Sequence, residues 1–359
     1  MSPTWNSDWK QTGPRASSDA RQETFLPIKE TDDFCARHFA HIRQKLDPTV
    51  RHEHDDVVDG LNDIAGSAME KLGYVLGWRV RTIACAPRAD FGGLQPDPSK
   101  PASRQRIKAE ARTSGADFGF VLDGDGDRLY VVDETGATLQ PHGLTAHVLR
   151  HAITRRQRIP KIALTQSSGM SVRLEARRLD LSVCETPIGF KYLAPLMSSG
   201  EVGLAAGAVG DFAVAGWSTD RDPFAIAALV SQMLARTGMP LSQTVANLHR
   251  DLGTDALHWI EHLVVPKTTV SATTMSNALR CIARHCGIGG GVETAPVQTL
   301  SHGAFRLRGA DHQWLPMRGS TTERGIGLYG EIFGEVPSDL AEVLAAHMNE
   351  KHENGRSRS

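Results

Sequence analysis

Three aspartates alternate with glycines in the run Asp123-Gly124-Asp125-Gly126-Asp127-Arg128. Glycine accepts tight, unusual backbone dihedrals, so carboxylates at alternate positions can converge on one point. Converged carboxylates repel unless a cation sits among them, and hard oxygen ligands select Mg²⁺ or Ca²⁺ over softer metals. An EF-hand is the rival reading. Counting from Asp123, its twelfth position is Glu134, as such a loop requires; its sixth is Arg128, where glycine is needed. The flanks FGFVL and LYVVD also read as strands rather than helices, so the EF-hand is rejected. A metal-binding loop at a sheet edge is expected, with a solvated acidic turn as the plain alternative.

The elements that must hold this loop follow from periodicity. Residues 118–122 and 129–133 are short apolar strands, and Glu134-Thr135-Gly136 is a turn. Upstream, Cys35, Phe39, Ile42 and Leu46 mark a helix, and Leu61, Ile64, Ala65, Ala68, Met69 and Leu72 a second. WRVRTIACA reads as a strand and RADFGGLQPDPSKP as a loop. Downstream, Leu144, Val148, Leu149, Ala152 and Ile153 share a helix face. KIALT is a strand, Met170 to Leu179 a helix and LSVCET a strand. Pro223 opens a strong helix through Leu234 that Gly238 ends. Strands alternating with helices predict α/β units. After about residue 255 the strand-like segments HWIEHLVV, VQTL, AFRL, QWLPM and IGLYGEIF follow, with helices near 274–285 and 337–348. The expected organisation is a disordered arm over 1–29 and a linker helix over 30–49. Two α/β domains with mixed or parallel sheets then span 50–155 and 156–254, followed by a smaller α+β domain over 255–350 and a disordered tail over 351–359.

Here a family resemblance enters. GADFGFVLDGDGDRLYVVDETG (115–136) closely resembles the metal-loop segment of the α-D-phosphohexomutases, the phosphoglucomutase/phosphomannomutase family. The resemblance implies that Asp123, Asp125 and Asp127 hold Mg²⁺ and that Arg128 faces a phosphosugar. ETPIGFKYLAPLM (185–197) resembles the start of the family's third domain, where Lys191 would reach toward ligand. RGSTTERGIGLYGEI (318–332) resembles the fourth-domain phosphate loop, usually R-P-S-G-T-E-P. Arg318, Ser320, Thr322 and Glu323 match it, whereas Gly319, Thr321 and Arg324 depart. An arginine with hydroxyls and loop amides makes a phosphate cradle.

Two departures outweigh these matches. The family's first domain carries a phosphorylated serine in a T-x-S-H-N-P-like loop. Here about thirty residues precede the linker helix, and the surroundings of Ser17-Ser18 do not match. A member lacking the phosphoserine domain, with no catalytic residue of its own, is expected. Second, the family's sugar loop reads G-E-E-S-G, whereas the aligned stretch GLAAGAVGDFAVAGW (203–217) has Gly207, Ala208 and Val209 where Glu, Glu and Ser belong. Small apolar residues cannot bond sugar hydroxyls, and such a pocket loses discrimination.

Other constellations carry less. RHEHDD (51–56) reads as a solvated loop, Cys281, His285 and Cys286 as buried thiols with a surface histidine, and RRQR (155–158) as a helix end complementing its dipole. With 40 basic and 41 acidic residues, the chain has no electrostatic footprint for nucleic acid or an anionic membrane. No run approaches the roughly 18 apolar residues of a membrane span. Five cysteines without a C-x-x-C pair, and a start with no apolar segment after a basic one, predict a cytoplasmic setting. Three functions are open: a Mg²⁺- and phospholigand-binding pseudoenzyme, a phosphohexomutase-type enzyme with its phosphoserine domain in trans, and an interaction subunit of a true mutase or a homo-oligomer. In the last, GLAAGAVG would serve packing.

Overall fold

The computed structural model describes residues 28–50, 53–153, 161–254, 257–265, 271–288, 297–309, 313–319, 325–333 and 335–349. The expected arm and tail, Ser17-Ser18, His52, RRQR, Ser320, Thr322 and Glu323 lie outside them. Helix α1 (Ile28–Lys45) leaves a short N-terminal unit ending at His38, in which the Phe34 and His38 rings stack at 6.4 Å, and enters the body that begins at Phe39. Within the body, Phe39, Ile42 and Leu46 are buried, as their spacing predicts.

The body carries three sheets. The first has the order β2-β1-β3-β4-β5, from β1 (Asp55–Asp59), β2 (Arg79–Ile83), β3 (Phe118–Leu122), β4 (Leu129–Asp133) and β5 (Thr138–Leu139). β1 runs parallel to β2 and β3, and β4 is antiparallel to β3. The second repeats the scheme as β7-β6-β8-β9, from β6 (Lys161–Thr165), β7 (Ser182–Thr186), β8 (Leu204–Ala206) and β9 (Phe212–Val214). β6 is parallel to β7 and β8, and β9 is antiparallel to β8. In both sheets the change from parallel to antiparallel falls at a hairpin, β3–β4 and β8–β9. Those hairpins are the acidic loop and the stretch that the sequence analysis aligns with the family's sugar loop.

The helices depart from the sequence reading in instructive ways. α2 (Ala65–Leu76) begins after Leu61 and Ile64; Leu61 has a left-handed backbone (φ 49°) and Ile64 is exposed. α3 (Gln105–Ser114) was not expected. It covers the first sheet with little beyond Ile107 and Ala111, too few apolar residues to show a period. α4 (Pro141–Val148) is buried on every face, not one, between α5 (Met170–Arg178), α7 (Pro223–Thr237) and α8 (Leu241–Leu252); a short α6 (Ala194–Ser198) precedes β8. At α7 the expected punctuation holds: Asp222 accepts from the Ala225 amide at 3.0 Å, and Gly238 closes the helix with φ 62°. The third sheet is antiparallel, with the order β10-β14-β13-β12-β11: β10 (Leu257–Val265), β11 (Val297–Thr299), β12 (Phe305–Arg308), β13 (Trp314–Gly319) and β14 (Ile326–Phe333). α9 (Ala272–His285) and α10 (Leu340–Asn349) bury its apolar side. Among the described residues no single helix is long and apolar enough to cross a membrane.

Because α4 is enclosed, it encloses a titratable ring. Neither His147 nitrogen finds a hydrogen-bond partner among the described residues. Burial, with His151, His249 and Arg150 nearby, holds its pKa well below the usual histidine range. The folded protein therefore keeps His147 neutral where the unfolded chain, titrating near pH 6.5, binds a proton. The stability lost as pH falls below that value is up to about 1.4 kcal/mol per pH unit. His147→Leu is expected to flatten the fall in melting temperature between pH 7 and pH 5 relative to wild type; parallel curves would exclude the ring as the cause.

Candidate metal and sugar loops

Asp123 sits at the end of β3 and is 1% exposed. Its Oδ1 accepts from the Asp127 and Arg128 amides, both at 2.9 Å, and its Oδ2 from Arg128 Nε at 2.5 Å. A buried carboxylate thus folds the loop back on itself, and Gly126 supplies the left-handed turn this needs (φ 69°). Asp125 is exposed and Asp127 half-buried, and one oxygen of each of the three aspartates lies within 4.8 Å of the others. Burial and the Asp123 charge push the Asp127 carboxyl up to about 7. Two guanidiniums offset the crowding. Arg128 also bonds Asp97 at 2.9 Å, and Arg221, placed just before the α7 cap, pairs with Asp127 Oδ2. An all-oxygen set this close, with one carboxylate already destabilised by its neighbour, fits a hard divalent cation.

The β8–β9 hairpin abuts this loop. The Leu129 amide, directly after Arg128, donates to Gly210 O at 3.1 Å. Gly210 is left-handed (φ 82°), and a Cβ there would stand 2.4 Å from Leu129 O, so only glycine allows the approach. At the head of the hairpin a Cβ on Gly207 would stand 2.0 Å from Asp211 Oδ2. The Asp211 side chain turns inward to accept from the Val209 amide at 3.0 Å, and burial raises its pKa against that bond and the pull of Arg128 and Arg221. Ala208 is buried against Trp314 and Tyr329 of the third sheet, with Val209, Met170 and Ile188 around them.

Glu331 of β14 holds that apolar contact closed. It is 1% exposed and accepts from Trp314 Nε1 and from the Met170 amide at the start of α5, each at 2.5 Å, while His142 Nε2 lies 3.0 Å away. Burial alone would raise its pKa, but His142 and these bonds hold it below the usual carboxylate range.

Of the remaining sequence candidates, Arg128 lies within the acidic loop, and Lys191 and Arg318 make no bond to it among the described residues. Arg128 directs Nε and Nη1 to aspartates. Lys191 is exposed, its Nζ 5.2 Å from the Tyr192 ring centre. Arg318 is half-buried near the end of β13, opposite Gly327. Sequence reasoning missed Asp97, Arg221, Asp211 and Glu331. For Arg221 a weak signal existed, its place beside the Asp222-Pro223 helix start. His54 of RHEHDD is a buried ring 3.1 Å from Ser231 O, not a loop residue in solvent.

Two α/β sheets, each displaying a functional loop at its antiparallel hairpin, define a phosphohexomutase scaffold. The family model described as phosphoglucomutase/phosphomannomutase α/β/α domain II matches residues 38–136, and that of domain III matches residues 141–251. The chain belongs to the phosphoglucomutase/phosphomannomutase family. It is 32% identical over 126 residues to a phosphomannomutase/phosphoglucomutase of Pseudomonas aeruginosa, covering 35% of this chain and 27% of that protein. Over 292 residues it is 26% identical to the phosphoglucosamine mutase of Heliobacterium modesticaldum, covering 81% of this chain and 56% of the relative. The match thus spans about a quarter of the first relative and little more than half of the second. A crystal structure of a family protein from Burkholderia thailandensis shares the fold, with a TM-score of 0.67 at 20% identity over 86% of this chain and 62% of that one.

The packing at Gly207 has a measurable consequence. Gly207→Ala is expected to cost about 1–3 kcal/mol in urea unfolding, the range for overpacking a filled site. Combined with Asp211→Ala, which empties that space, it should cost far less than the sum of the single changes. Additive costs would mean that Asp211 does not hold the position.

Proposed function

We propose that this chain is a phosphohexomutase-type protein that binds Mg²⁺ and a phosphorylated ligand and acts by binding or regulation rather than by turnover. The observation that carries the reading is Ala208, buried against Trp314 and Tyr329 where the family resemblance calls for a glutamate on a sugar hydroxyl. Asp123, Asp125 and Asp127 would hold the ion, which would supply positive charge against phosphate oxygens. With no phosphoserine oxygen from these 359 residues to join them, the ion would keep several waters and bind weakly. A mutase must hold a phosphoryl donor in line with a positioned sugar hydroxyl, and such positioning is worth roughly 7–11 kcal/mol of barrier. No T-x-S-H-N-P-like loop occurs in the sequence, and the hairpin offers the sugar small apolar residues. The converged triad favours a second reading, a mutase-type intramolecular phosphotransferase whose phosphoryl donor comes from another chain. The interaction-subunit reading gains no support, because Leu204–Ala206 and Ala208 are buried within the chain's own body.

Millimolar Mg²⁺ is expected to raise the melting temperature of the wild-type protein and to leave Asp125→Ala unmoved; no rise in wild type would remove the metal from the account. The isolated protein is expected not to convert glucose 1-phosphate to glucose 6-phosphate, with or without a bisphosphate activator. Turnover abolished by Asp125→Ala would establish the second reading, and turnover insensitive to it would place the active site elsewhere.

A further inference from the structure

Away from the two loops, a cleft of about 520 Å³ opens between α5, the start of β7 and the β12 end of the third sheet. Arg173, Arg177 and Arg308 line it, with Met170, Leu181 and Val183 among the apolar walls. Arg173 and Arg177 are one helical turn apart on α5, so both side chains leave the same face. Across the cleft Arg306 and Arg308 alternate on β12, and so share a face of the third sheet.

Among the described residues the charges do not balance. Glu185 of β7 takes Arg173 Nη2 at 3.0 Å and Arg306 Nη1 at 2.7 Å, and is shared between them. The other carboxylate here, Asp180, has no ion pair among the described residues, nor do the exposed Arg177 and Arg308. Among the described residues four guanidiniums thus face two carboxylates. Burial lowers the pKa of both Arg173 and Arg308, and the neighbouring Arg306 adds to this against the pull of Glu185. Arg306 is 4% exposed, and its Nε has no hydrogen-bond partner among the described residues. Arg173 and Arg306 share one carboxylate between them, and an anion entering this cavity of small-molecule size would add the counter-charge that Arg177 and Arg308 otherwise find only in water.

We propose that this cleft is a second ligand site, for a phosphate-bearing small molecule whose anionic group is clamped between Arg177 of α5 and Arg308 of β12, with its body against Met170, Leu181 and Val183. Arginine forks suit phosphate oxygens. Because α5 and β12 belong to different sheet units, the occupied site cross-links the second and third sheets. It shares no lining residue with the aspartate triad, so it stands whether or not the triad binds a metal.

The probes are inorganic pyrophosphate and ADP, added to the full chain without Mg²⁺ and with a chelator present, so that the aspartate triad cannot recruit phosphate through an ion. Either probe at millimolar concentration is expected to raise the melting temperature. The rise should be lost in Arg177→Glu and in Arg308→Glu, retained in Asp125→Ala, and weakened by added salt. Both arginines are exposed, so the charge reversals are expected to fold; circular dichroism and the unliganded melting temperature check this. A larger rise with ADP than with pyrophosphate assigns the apolar wall to the ligand body; equal rises assign binding to the anionic group alone. No rise with either probe, or a rise that survives both charge reversals, would overturn the proposal.

Discussion

Glu331 is a carboxylate cut off from water, and the closed arrangement of the β8–β9 hairpin depends on it. An ionised group at 1% exposure is tolerable only when its oxygens are satisfied from several sides. Its partners come from different parts of the chain: Trp314 from its own sheet, the Met170 amide at the positive end of α5, and His142 from α4. The demands of one buried charge therefore fix the third sheet against two helices of the second. Trp314, held by its indole N–H, then presents its ring to Ala208, so the apolar seal over the hairpin follows from an electrostatic requirement beneath it.

The acidic loop solves the same problem differently. Asp123 is satisfied within its own hairpin by two amides and by Arg128, while Asp127 depends on Arg221 from the segment before α7. The two arginines hold the loop in shape by pairing with Asp123 and Asp127. Mg²⁺ would have to compete with a guanidinium at Asp127 while meeting no protein cation at the exposed Asp125. The loop is thus preorganised in its buried half and adaptable in its outer half.

Much of this was legible in the sequence for identifiable reasons. β3 and β4 are apolar runs bounded by a glycine-rich loop, and α7 has proline inside its start and glycine just past its end; both signals are local. The family motif located the acidic loop and the altered hairpin. α3 escaped because ten residues bury chiefly Ile107 and Ala111, and α4 was misread as one-faced because a helix enclosed on all sides has no polar stripe to give it a period. Arg221 and Glu331 escaped for another reason. Arg221 pairs with Asp127 across 94 residues, and Glu331 takes the Met170 amide across 161, and no local pattern records such long-range contacts. In IGLYGEIF, Glu331 looks like an ordinary solvent-facing position of an alternating strand.

The space beside Gly207 also constrains the history of the hairpin. Asp211 occupies the volume that a side chain at 207 would need, and it accepts a hydrogen bond from the Val209 amide there. A glutamate returning to position 207 would meet an occupied site, and one returning to position 208 would displace Trp314 and Tyr329 from Ala208. Neither reversion improves the protein by itself, and each is obstructed until its neighbour changes first. The packing around the hairpin therefore acts as a lock on its sequence: a larger side chain at 207 or 208 needs a compensating change at Asp211 or at Trp314 and Tyr329.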